Sequence, residues 1–270
     1  MRNAACMVLL VCAGCGSDPA ATDVVVAADT VAVVDTTTEP PDTDAEGPAD
    51  TTPPEPDPRV RVLFVGNSYT YVNDLPAVFR ALGAPQGASG IEVVSIATAG
   101  ARLSGHWRNT DTRARIEAGG FDAVVLQGQS LEALLTTDDF QQHATLLADA
   151  VAAADMRAIW YSTWARRPGT PFLESLEVGG TAARMTQWLE SQYCLAAEPN
   201  GGSVARVGAA WQLALAELPE VVLYAPDGSH PTRAGTLLSA CVLWNEFTGQ
   251  TPQVPDPPPL GIPKETADAL

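Results

Sequence analysis

Positive charge is scarce in this chain: 15 Lys and Arg stand against 32 Asp and Glu, for a formal net charge of -17. No basic stretch interleaved with aromatics occurs, so nucleic acid is a poor partner. Histidine is scarcer still. His106, His143 and His230 lie far apart, without a cysteine or a carboxylate pair at ligand spacing, and give no metal site. Long apolar runs are missing too: the stretch 4–13 is too short to cross a bilayer as a helix. Between Cys15 and Arg59 there is no Lys or Arg at all.

That cation-free segment, 16–58, is built of Thr, Pro, Asp, Glu, Ala and Val. It cannot bury enough apolar surface to offset its chain entropy, and its like charges repel. An extended tether of about forty residues is expected, long enough to hold a domain several nanometres from an anchor point. A large part of the negative charge lies there, which leaves the rest of the chain only moderately acidic, as suits a soluble surface.

Cysteine usage divides the chain in the same place. Of five cysteines, Cys6, Cys12 and Cys15 fall in the first fifteen residues, and Cys194 and Cys241 remain for the folded part. In an oxidising compartment these two can pair. Cys241 sits in a strongly apolar stretch, so a buried thiol is the alternative.

The body, 59–250, is large enough for one well-buried core. Apolar runs at 60–65, 91–97, 123–126 and 158–162 read as buried parallel strands, and 204–207 adds a short fifth. Helical patterns lie between them at 75–82, 108–118, 140–154, 181–196, 209–218 and 232–247, followed by a Pro-rich tail, 251–270. Such alternation predicts an α/β fold, a three-layer α/β/α sandwich on a mostly parallel five-stranded sheet.

Chemistry gathers at the carboxyl ends of these strands, where open α/β sheets bind ligands. The first strand runs into Gly66-Asn67-Ser68-Tyr69-Thr70, and a late loop holds Asp227-Gly228-Ser229-His230-Pro231. Taken alone, each reads as a turn. Together they supply a hydroxyl, a base to take its proton and a carboxylate to hold that base, the set that acyl transfer requires. Pro231 suits the first position of the last helix, from whose start His230 would project. The G-x-S-x-G elbow is not matched, since Thr70 stands where its second Gly would be.

Four blocks in order carry a more specific likeness: Gly66-Asn67-Ser68-Tyr69-Thr70, Gly100-Ala101-Arg102-Leu103 leading to His106-Trp107, Leu126-Gln127-Gly128-Gln129-Ser130, and Asp227-Gly228-Ser229-His230-Pro231. Over roughly 60–250 the chain resembles the SGNH (GDSL-type) hydrolase family, in the branch reading G-N-S-[YF]-T, L-Q-x-Q-S and D-G-x-H-P. The resemblance implies an SGNH/flavodoxin-like sandwich and a serine esterase with Ser68, His230 and Asp227 as its triad. It implies oxyanion donors at the Ser68 and Gly100 N–H groups and at Gln129, and no cofactor. Gln129 stands where better-known members carry Asn, so a loop residue capping the next helix is its alternative role. Asn67, His106 and Trp107 are candidates for the substrate cleft, with a structural role as the alternative for His106. Trp107, Trp160 and Trp164 fall near strand ends, where they stack on a sugar or pack the core. His143 falls in a helical pattern and reads as a surface residue.

The family spans lipases, lysophospholipases, thioesterases and sugar deacetylases, and fold alone does not separate them. The expected substrate is an ester, first an O-acyl group on carbohydrate and second a lipid. A glycan-binding surface lipoprotein without turnover is the reading from a different class.

The N-terminus gives an address. Arg2, the apolar stretch 4–13 and then Ala13-Gly14-Cys15 read as a signal peptide, 1–15. The segment resembles a bacterial lipoprotein signal, with Cys12 where Leu is usual; this implies lipidation of Cys15, a membrane anchor and a place in the cell envelope. Ordinary cleavage and a secreted protein are the alternative. A monomer is expected.

Overall fold

A computed structural model describes residues 60–86, 90–175 and 180–270. The expected signal, with Cys15, and the expected tether 16–58 lie outside the described residues.

Five parallel strands form one sheet in the order β2-β1-β3-β4-β5: β1 Val60–Gly66, β2 Ile91–Ala97, β3 Ala123–Leu126, β4 Arg157–Ser162 and β5 Ser203–Arg206. The helices are α1 Ser68–Tyr71, α2 Leu75–Ala81, α3 Leu103–Arg108, α4 Thr110–Glu117, α5 Glu132–Leu135, α6 Thr137–Ala153, α7 Pro171–Ser175, α8 Ala182–Ala197, α9 Val207–Glu217, α10 Arg233–Thr248 and α11 Lys264–Ala269. This is the three-layer α/β/α sandwich that the strand and helix alternation predicts.

Period-two alternation in the strands feeds two cores. Val62 and Phe64 of β1, with Ile159 and Tyr161 of β4, face α2, α9 and α10; Leu63, Val65, Ala158 and Trp160 face α3, α4, α6 and α8. All eight are buried, and removing the larger aliphatic and phenyl side chains among them from water stabilises the fold by roughly 1.5–3 kcal/mol each. The chain leaves β1 for β2 on one side and reaches β3 on the other, so the connections diverge between β1 and β3. A crevice opens at such a switch point, outside the carboxyl ends of the strands.

Several boundaries differ from expectation. The helix read at 108–118 begins at Thr110, because Asn109 adopts an extended backbone (φ -74°, ψ 115°) and its side chain accepts the Thr112 N–H at 2.9 Å, capping α4, and a helix not expected, α3, precedes it. The helix read from 140 starts at Thr137. Val207 begins α9 rather than ending a strand. The last helix starts at Arg233 on a Thr232 cap, while Pro231 bridges to Tyr224; His230 therefore stands on a loop and not at a helix start. The Pro-rich tail is no loose appendage, since Ile262, Ala267 and Leu270 are buried in the α10 core.

Trp160 and Trp164 are fully buried. Trp164 stacks between Tyr69 (4.5 Å) and Trp211 (3.8 Å), so neither ring is presented to a sugar. Cys194 lies on α8 and Cys241 is buried on α10, in the core of the other sheet face. The sheet stands between them, and they are not joined as a disulfide.

Candidate active site

Strand β1 delivers its last residues into a set of buried polar contacts. Gly66 O accepts from Thr98 N–H at 3.2 Å and pairs with His106 Nε2 at 2.8 Å. Burial holds the His106 imidazole below its ordinary pKa, against the Gly66 carbonyl that favours its charged form; the neutral ring donates Nε2–H. A Cβ on Gly66 would lie 2.3 Å from Thr70 Oγ1 and 2.7 Å from Gln127 Oε1, so only glycine lets the strand end pass this close to the loop. Gln127 Oε1 accepts from Asn67 N–H at 3.1 Å and from Thr70 Oγ1 at 3.0 Å.

Asn67 joins three loops. Its Oδ1 accepts the Tyr69 N–H at 3.1 Å, capping α1, and its Nδ2 donates to Ala101 O at 3.1 Å and Gly128 O at 3.3 Å. With the backbone fixed on both sides, Ser68 projects into the crevice. Its Oγ lies 2.9 Å from His230 Nε2, and His230 Nδ1 lies 2.5 Å from Asp227 Oδ2.

Asp227 and His230 are held by their own loop. Asp227 Oδ1 accepts the N–H groups of Ser229 and His230, each at 3.0 Å, an Asx turn that aims Oδ2 at the imidazole. Partial burial raises the Asp227 carboxyl, but the His230 ring and the two N–H donors outweigh it and bring the pKa down to about 2. The carboxylate is thus ionised across the working range.

A cavity of about 360 Å³ opens on Ser68 and His230, bordered also by Gly100, Gln129, Ser130 and Arg166. Gly100 has φ +65°, and a Cβ there would meet nothing within 4 Å; glycine is favoured at this turn by backbone conformation rather than by close approach. Among the described residues neither the Ser68 nor the Gly100 N–H donates to a protein acceptor. Gln129 does brace the turn into α5: its Oε1 accepts Leu131 N–H at 2.8 Å, which turns Nε2 toward Ser130 Oγ at 3.3 Å, still on the cavity wall.

His106 and Trp107 do not border the cavity. The first is buried on the strand end, and the second packs on the α6 side under Arg113, 5.4 Å from the ring centre. His143 is half-buried on α6, 3.2 Å from Asp139 Oδ1. Among the described residues no group of three or more His, Cys, Asp or Glu is placed to hold a metal ion.

Three contributors were given no role by sequence reasoning. Gln127 follows β3 directly, and that position was the available signal. Glu132 is buried; its carboxylate accepts Leu103 N–H at 3.1 Å and Gln129 N–H at 2.9 Å, tying the Gly100 loop to the Gln129 loop. Burial pushes its pKa up against those two bonds. Arg166 comes four residues after the end of β4, on the same rim of the sheet, and nothing in its local pattern marks it.

Comparison with solved structures agrees with this architecture. A proposed SGNH hydrolase from Slackia heliotrinireducens is 29% identical, with 70% of this chain and 98% of that one covered and a TM-score of 0.61. The fold is that of the SGNH hydrolases. A lipase/acylhydrolase from Enterococcus faecalis (14% identical, 73% and 99% covered, TM-score 0.57) has it too. So does a variant of an acetyl xylan esterase from Geobacillus stearothermophilus (18% identical, 70% and 95% covered, TM-score 0.53). No protein-family model and no curated protein matches the chain.

Proposed function

We propose that this chain is an SGNH-type serine ester hydrolase. The observation that carries the reading is the continuous line from Ser68 Oγ through His230 (2.9 Å) to Asp227 (2.5 Å) at the switch point of the sheet. His230 Nε2 takes the hydroxyl proton as Ser68 Oγ attacks the ester carbonyl, and Asp227 holds Nδ1–H and stabilises the imidazolium. The uncommitted N–H groups of Ser68 and Gly100 and the Gln129 amide face the developing oxyanion. His230 then gives the proton to the leaving alcohol, and water repeats the cycle to free the acid. The reaction so drawn needs no cofactor.

A short acyl group on a carbohydrate is the substrate class we favour. The cavity is modest in volume and walled by hydroxyls and a guanidinium, which suits a polar alcohol better than a long acyl chain. One structural neighbour is by its description an acetyl xylan esterase, which supports the same choice. The N-terminal sequence supports lipidation at Cys15 and a place in the bacterial cell envelope, with the membrane reached through that anchor.

The test is hydrolysis of p-nitrophenyl esters of increasing chain length by the full chain and by Ser68→Ala, with the mass of the fluorophosphonate adduct. Expected are a single adduct on Ser68, turnover steepest for acetate, and a loss of at least about a thousandfold in the variant. Wild-type rates equal to those of Ser68→Ala, with no adduct, overturn the catalytic reading and leave a glycan-binding domain.

A further inference from the structure

Among the described residues Arg166 is the one arginine on the cavity wall, and its surroundings are unusual. A guanidinium has five N–H donors and no acceptor. Three of them point at neutral oxygens: Nη1 at Tyr69 OH (2.5 Å) and at Ser229 Oγ, Nη2 at Ser130 Oγ (2.9 Å). The remaining donors, on Nε and Nη2, have no acceptor, and no carboxylate lies within ion-pair reach, among the described residues. The Phe172 ring covers the guanidinium at 6.0 Å, which helps fix its plane.

Protons follow from this arrangement. Each of the three hydroxyls accepts from Arg166, so its own O–H must turn elsewhere. Tyr69 and Ser229 share one such proton between them at 2.6 Å. That leaves the Ser130 hydroxyl and one of the other pair able to donate. Tyr69, Ser130, Arg166 and Ser229 all border the same cavity as Ser68. One positive charge and an excess of donors therefore face the space beside the nucleophile. Its complement is a group rich in acceptors and negatively charged, and the edge of a guanidinium matches a carboxylate with two parallel bonds.

We propose that the site takes an ester carrying a carboxylate close to the scissile bond, held by Arg166 and the neighbouring hydroxyls. This rests on the serine hydrolase reading and narrows its substrate class. The carboxylate belongs either to the acyl half, as in a half-ester of a dicarboxylic acid, or to the alcohol half, as in an acylated acidic sugar.

Two pairs of substrates differing only in charge separate these sources: mono-p-nitrophenyl glutarate against its methyl ester, and O-acetyl galacturonate against its methyl ester. With the full chain, kcat/KM is expected to favour the charged member of one pair by at least about tenfold. Arg166→Met should lose about tenfold more on that charged ester than on its neutral partner, and Arg166→Lys should recover part of the difference. Should Arg166→Met fail to fold, the wild-type chain still decides. Glutarate or galacturonate should slow fluorophosphonate labelling of Ser68, and the corresponding methyl esters should not. Ratios near one in both pairs, a preference that survives Arg166→Met, or equal protection by acid and ester overturn the proposal. Labelled Ser68 without charge preference sinks this inference alone; no labelling and no turnover of any ester sinks the hydrolase reading with it.

Discussion

Ser68 and His230 meet at 2.9 Å, yet the loops that carry them are held in opposite ways. The Ser68 loop is fixed by buried side chains: Gln127 and His106, from other parts of the chain, bond its backbone at Asn67 N–H and Gly66 O, and its own Asn67 side chain reaches out to Ala101 O. The Asp227–His230 loop takes outside bonds at Gly228 and Ser229, from Arg167 N–H and Trp164 Nε1, but Asp227 and His230 themselves are held by the loop's own backbone, with side chains 37% exposed at His230 and 49% at Asp227. Damage to the first loop should therefore cost stability and activity together, whereas damage to the second should cost activity with the fold intact. The reason is that an unsatisfied buried polar group carries its full desolvation penalty, while an exposed one turns to water.

Asp227→Asn tests the exposed half and carries the largest expected effect of the pair comparison. The amide favours the wrong imidazole tautomer, so kcat should fall by about a thousandfold or more while the melting temperature moves only a few degrees. A large drop in melting temperature would show that this loop is structural after all.

Gly66→Ala tests the buried half. The new methyl would press on Thr70 Oγ1 and Gln127 Oε1, and the resulting shift should cost about 1–3 kcal/mol of stability along with most of the activity. Chemical denaturation beside ester hydrolysis measures both; activity lost at unchanged stability would erase the contrast.

pH sharpens the same comparison with smaller effects. His106 has a folded pKa below its ordinary value of 6.5, so its contribution to stability is complete above that pH and is lost as the pH falls toward the folded value. Glu132 runs the other way: its raised pKa makes its contribution complete below 4.5 and lost as the pH rises through the folded value. Asp227, at about 2, contributes above 3.8 and loses that contribution as the pH falls through about 2, an effect reduced by its exposure. Thermal melts should show a loss of stability below pH 6.5 that His106→Gln removes. Asp227 keeps its charge on mild acidification. A wild-type melting profile identical to that of His106→Gln would refute the assignment to His106.

The smallest expected effect is none. Dithiothreitol should leave the melting temperature of the folded chain unchanged, because Cys194 and Cys241 stand on opposite faces of the sheet. A reducible shift of several degrees would contradict that placement.

How much of the fold and the site is legible in the sequence depends on the range of the interactions involved. The apolar runs that become β1 and β3 announce themselves because a strand buried on both faces is apolar at nearly every position. Asp227 and His230 are legible for a similar reason: three residues of one turn bring them together, so local order already contains their geometry. Ser68 is legible through its place after a strand.

Where a contact spans many residues, local pattern carries no information. His106 and Trp107 stand next to the Gly100 turn in sequence but bury themselves behind it, because α3 turns their rings toward the core and strand end. Trp160 and Trp164 sit near the rim in order, yet the packing of α8, α9 and α10 seals them. Arg166 is one charged residue among many until β4 sets it beside Ser130, 36 residues away, and Ser229, 63 residues away. Sequence by itself determined the sheet, and it put forward the hydroxyl, the imidazole and the carboxylate in the order in which they come. Tertiary structure alone decided which donors share a cavity, since only the folded sheet brings the ends of β1, β3 and β4 and the Asp227 loop to one rim, at distances no local rule contains.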